Sequence, residues 1–159
     1  MSLSLATAAQ FYRIGLEVGL CDPDQARAWA IRVIDKLAEP PGEIIEVSWR
    51  KPLAHLIEDL NAVQGDADRS ALRSWLLHQL WQISANSTVR LDHALRQGMQ
   101  LARSIDDEEL YYQFDCLDDE LQLAETQAYG ALAEVQSDFE TILKEGMCPA
   151  PNDVVPDEQ

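Results

Sequence analysis

The last 56 residues of this chain, 104–159, contain a single Lys or Arg, Lys144, against sixteen acids. The first 103 hold 12 acids and 11 Lys or Arg, so nearly all of the net charge of −16 belongs to the C-terminal third. A surface short of cations repels nucleic-acid phosphates and anionic membranes and attracts basic proteins over long range. Cysteine is scarce too. Cys21, Cys116 and Cys148 are an odd number without CxxC spacing, which argues against a disulfide framework or a zinc ribbon and for a reducing compartment. No apolar run approaches the roughly eighteen residues of a membrane span. No basic segment followed by an apolar one opens the chain as a secretory signal would. The expected location is cytoplasmic.

Strand-like alternation is almost absent, and proline and glycine interrupt the chain in few places. Between them the apolar residues recur at helical spacing. A first segment, 6–18, presents Phe11, Ile14, Leu16 and Val18. In "CDPDQ", Asp22 can cap, Pro23 suits the first helical position and Gln25 sits where a capping box needs its reciprocal acceptor. The helix that follows carries Ala26, Trp29, Ile31, Val33, Ile34 and Leu37 and stops at "EPPG". "EIIEVSW", 43–49, fits a short strand or one helical turn; with no second strand to pair it, the turn is favoured. Pro52 opens a helix bearing Leu53, Leu56, Ile57, Leu60 and Val63. After Gly65 comes another with Leu72, Trp75, Leu76, Leu80, Trp81 and Ile83, the two predicted as an antiparallel hairpin. Asn86 or Ser87 is placed to cap a helix that runs to about Ser104.

From Leu110 the apolar positions Phe114, Leu117, Leu121, Ala124, Ala128, Leu132, Val135, Phe139 and Ile142 keep a heptad rhythm, with one slip between Ala128 and Leu132 beside Gly130. This pattern predicts one long C-terminal helix of roughly 35 residues. The expected fold is therefore all-α: a single-domain bundle of six to seven helices in antiparallel hairpins over 1–146. The Pro-containing acidic tail, 147–159, is predicted to be disordered.

"DDEELYYQFDCLDDELQLAE", 106–125, holds nine acids and no base. On a helix, Glu108, Asp115 and Asp119 lie nearly opposite the apolar seam, with Asp118 and Glu125 to one side beside Tyr111 and Tyr129. Three readings follow. The face is solvated, with Arg90, Arg96 and Arg103 of the preceding helix balancing part of it; it docks a basic partner, tyrosine supplying contact area; or it holds a hard cation between Asp115, Asp119 and another helix. The last is weak, because the acids point outward and no Glu-x-x-His occurs. Glu43 and Glu46 form the E-x-x-E of all-α nucleotide pyrophosphohydrolases, but the second Glu-x-x-Asp is missing. No Walker, G-x-G-x-x-G, G-x-S-x-G or H-E-x-x-H motif is present. Cys116, next to core-facing Leu117, reads as a packing residue. His55 and His78 read as structural, and Trp49 beside Arg50 and Lys51 as an interhelix anchor.

"DKLAEPPGEIIEVS", 35–48, and "FDCLDDELQLAE", 114–125, resemble segments of small acidic all-helical bacterial proteins of the immunity type. That resemblance covers about 22–125 and implies an antidote that neutralises a toxin; it carries no catalytic residue. Charge and resemblance together predict a non-enzymatic binding protein without metal or cofactor. Its partner is a basic protein rather than nucleic acid or membrane, and its partner-binding residues are Tyr111, Asp115, Asp118, Asp119, Glu125 and Tyr129. A helical scaffold that forms a homodimer through a second seam is the alternative, and a metal-dependent enzyme a more distant one.

Overall fold

Local capping fixes where the first helices begin and end. Ser4 caps α1 (Leu5–Val18) by accepting the Thr7 amide, and Gly19 closes it in the left-handed conformation, φ 85°. The Leu20 and Cys21 amides both donate to the Gly15 carbonyl, at 2.7 and 3.0 Å, so the chain turns tightly over Gly15. A Cβ there would collide with the Cys21 thiol. α2 (Pro23–Lys36) starts with the expected capping box: Asp22 accepts the Gln25 amide and Gln25 accepts the Asp22 amide, each at 3.0 Å. Of residues 43–49, the first five lie within the short helix α3 (Gly42–Val47), which buries Ile44 and Val47, and Ser48 and Trp49 follow it as a turn. α4 (Leu53–Asn61) follows Pro52 and buries Leu56 and Leu60.

In this computed structural model, which describes residues 4–86, 90–126 and 130–155, all of the regular structure is helical. The sequence pattern predicts one domain over 1–146; the chain gathers into two compact units, Met1–Leu72 with Pro149–Gln159, and Arg73–Cys148. In the first, α1 packs on α2 and α4, and α3 packs on α2 and α4. Its centre is aromatic. Tyr12 lies 5.2 Å from Phe11 and 5.5 Å from Trp29 between ring centroids, and all three are buried. The tail expected to be loose is seated as far as Val155. Val154 is 4% exposed, and its carbonyl accepts the Tyr12 hydroxyl at 2.5 Å.

The unit boundary falls inside α5 (Arg69–Asn86), after Leu72. The second unit holds the rest of α5 with α6 (Leu91–Ser104), α7 (Glu108–Glu125) and α8 (Gly130–Gly146). α6 is preceded by Arg90, which makes no side-chain cap bond; Asn86 ends α5 instead of capping α6, and Ser87 lies outside the described residues. α7 packs on both α6 and α8. The predicted single long helix is thus corrected to two helices. α7 ends at its C-cap Thr126, α8 starts at Gly130, and Phe114 and Phe139 meet at 5.9 Å. The heptad seam does not extend along a partner; its two halves close on each other, and the slip in the rhythm coincides with the break. Leu110, Phe114, Leu117, Leu121, Val135, Phe139 and Leu143 form the buried seam. At α6, Gly98 lets the Phe114 ring approach, since a Cβ there would sit 2.9 Å from Phe114 Cε2.

Candidate functional site

α7 positions the acidic face. Asp107 accepts the Leu110 amide at 3.0 Å, and Glu108 and Glu109 occupy the first turn, where the helix dipole favours them. With Leu110, Phe114, Leu117, Leu121 and Ala124 buried, the remaining side chains of α7 are partly or wholly exposed. Asp115 and Asp118 are half-buried, and Asp118 accepts from Gln122 Nε2 at 3.2 Å. Asp119, Glu120 and Glu125 are exposed. Tyr111 is half-buried: its hydroxyl accepts Arg103 Nη2 at 2.7 Å, and the guanidinium carbon lies 4.7 Å from its ring centroid. Tyr129 lies outside the described residues.

Around α6, Arg103 is committed to Tyr111 and the capping-position Arg90 pairs with Asp92 at 3.3 Å, while Arg96 is exposed and makes no ion pair among the described residues. Among the described residues, Asp115, Asp118, Asp119, Glu120 and Glu125 make no ion pair. Residues 73–148 hold 14 acids against 5 Lys or Arg, and of those five Lys144 lies over the Trp81 ring at 5.0 Å. Arg73 pairs with Asp107 at 2.8 Å. The carboxylates of α7 therefore present uncompensated charge.

The sequence reading did not single out two large exposed residues of α7. Tyr112 is 67% exposed and Leu123 62%, and with half-buried Cys116 and exposed Asp119 they follow the spacing 4, 3, 4 on the side away from the seam. Cys116, one turn further along, pushes the Tyr112 phenol above its usual range, with smaller pushes from burial and then Asp115. Cys116 thus belongs to the outer face. The signal was in the sequence: a second stripe at helical spacing, masked by the acids around it.

Elsewhere the named candidates behave differently. His55 and His93 are exposed, so His55 is not packed among apolar neighbours. Trp49, read as an anchor, is 57% exposed, while Lys51 is bound by Glu46 and Asp59. Among the described residues no three His, Cys, Asp or Glu groups converge to hold a metal ion. Cys21 is held neutral at the α1–α2 turn, pushed up to about 12 by burial and then by Asp22. No described helix is long and apolar enough to cross a membrane. No protein family, curated protein or solved structure matches the chain.

Proposed function

We propose that this chain is a non-enzymatic protein-binding module of the immunity or antitoxin type, acting in the bacterial cytoplasm by masking a basic partner with the outer face of α7. One observation carries the reading. Among the described residues the acids of that face make no ion pair, and Arg103 and Arg90 are engaged with Tyr111 and Asp92. Ordered carboxylates on a rigid helix can take the phosphate sites of a basic nuclease groove, steer association and fix register. Tyr112 and Leu123 add apolar contact between Asp115, Asp119 and Glu120, and Tyr111, held by Arg103, borders them.

The test titrates the chain, at low and high salt, with the product of the adjoining reading frame, which this reading requires to be a basic protein. The double reversal Asp115→Lys, Asp119→Lys should slow association about tenfold and flatten its salt dependence. Equal affinity of wild type and variant at low salt would sink the assignment. Self-association is a second reading, favoured by the exposed pair Tyr112 and Leu123. Like charge on both copies opposes it, and a constant sedimentation coefficient over a wide concentration range would remove it.

A further inference from the structure

In the first unit, the end of α2 presents two neighbouring rows at four-residue spacing, Trp29, Val33 and Leu37 in one and Arg32 and Lys36 in the other. Facing them are Leu5 and Ala8 from the start of α1, and an open groove of about 400 Å³ lies between. Trp29 is 1% exposed and Val33 9%, so they form a fixed floor, whereas Leu37, 42% exposed, is a rim. The tail closes one side as a wall. It is folded there as a turn, the Val154 and Val155 amides donating to the Pro151 carbonyl at 2.9 and 3.0 Å. Arg32 is held against that wall, with Nη2 donating to the Val154 carbonyl at 2.6 Å and Nε to the Asp153 carbonyl at 3.4 Å. Both acceptors are neutral, so the guanidinium is positioned without being neutralised. Among the described residues neither Arg32 nor Lys36 makes an ion pair, although the chain has 28 acids for 12 Lys or Arg. Asp153, the acid on the walls, has an exposed side chain that pairs with neither.

We propose that this groove binds a small amphipathic acid, a free molecule with one carboxylate on an apolar chain. Size, lining and charge each narrow the occupant. At the roughly 30 Å³ that a water takes up in the liquid, the groove holds about a dozen non-hydrogen atoms, at the small end of ordinary ligand sites. The floor of Trp29, Val33 and Leu37 offers apolar surface and no hydrogen-bonding group but the indole N–H, which suits a hydrocarbon chain. Arg32 and Lys36 supply the polar end, and a positioned guanidinium fork beside an ammonium matches a carboxylate. The net charge of −16 works against an anion at long range, but salt screens that field beyond about 10 Å while the two cations act in contact. They therefore select the sign of the head group. The site uses no residue of α7 and stands or falls without the reading of that face.

The probe is sodium octanoate, titrated into the full chain by isothermal calorimetry at neutral pH, with 1-octanol as the uncharged counterpart. Octanoate should saturate one site with a dissociation constant on the order of 0.1 mM, ordinary for a ligand of its size. Octanol should bind about tenfold more weakly. Lys36→Glu should weaken octanoate about tenfold and leave octanol unchanged, because the lost interaction needs both charges. Leu37→Ser, on the exposed rim, should weaken both probes about threefold by removing apolar contact. If Lys36→Glu loses helical circular dichroism, Lys36→Gln serves with the same directions. No saturation of octanoate, equal affinity for the two probes, or octanoate binding that either substitution leaves unchanged would each overturn the proposal.

Discussion

At the junction of α6 and α7, Asp107 accepts the Leu110 amide at 3.0 Å and pairs with Arg73 Nε at 2.8 Å. Burial alone would raise this carboxyl, but the Leu110 amide and then Arg73 outweigh it and hold the group below its usual range. Asp107→Ala removes both the cap and the ion pair and should cost about 1–2 kcal/mol, most of it from the cap, because a partly exposed pair contributes little. Asp107→Asn keeps the cap and should lose less than half of that. The sign of the pH dependence follows from the depressed folded value. The stabilisation is present above the unfolded pKa of about 3.9 and is lost as pH falls through the lower folded value. Urea midpoints of wild type and Asp107→Asn should therefore differ at neutral pH and converge below about pH 4. At this scale the sequence was partly legible. The Asp22–Gln25 box could be read because both partners lie within one turn, whereas the Asp107–Arg73 pair joins residues 34 positions apart.

The helices themselves follow from spacing and punctuation, since 3.6-residue periodicity and Pro or Gly stops are local properties. Whether a seam continues or folds back is not local. The apolar rhythm from Leu110 suits one straight helix or two that face each other, and the choice made here is Phe114 against Phe139 at 5.9 Å. Two glycines separate helix propensity from packing. At Gly98 a Cβ meets the buried Phe114 ring at 2.9 Å. The overpacking cost of about 1–3 kcal/mol exceeds the gain of up to about 1 kcal/mol in helix propensity, so Gly98→Ala should lose about 1 kcal/mol. Gly42 in α3 has nothing within 4 Å of the added carbon. Gly42→Ala should gain about 0.4–1 kcal/mol by restricting the unfolded chain. Chemical denaturation of the two single variants checks both signs.

The molecule carries a net charge of −16 with a sequence pI near 4.3, and both units contribute acids in excess. Self-repulsion at neutral pH opposes the compact state, and salt screens it between charges farther apart than a Debye length of about 10 Å at 0.1 M. Raising sodium chloride at pH 7 should therefore raise the melting temperature of wild type. The rise should be smaller in Asp115→Lys, Asp119→Lys, where part of the repulsion has been removed. A melting temperature that falls with salt would mean that attractive pairs dominate instead.

What the sequence by itself determined is the helical class, the Asp22–Gln25 capping box and the asymmetry of charge, because each is set by composition or by neighbours within one turn. It placed Asp115, Asp118, Asp119 and Glu125 away from the seam for the same reason. Only the tertiary structure decided that the C-terminal seam closes on itself and that Val154 docks against Tyr12 and Arg32. It alone placed Arg103 on Tyr111, leaving the neighbouring acids unpaired. These outcomes depend on which distant side chains meet, and the competing arrangements share the same local pattern.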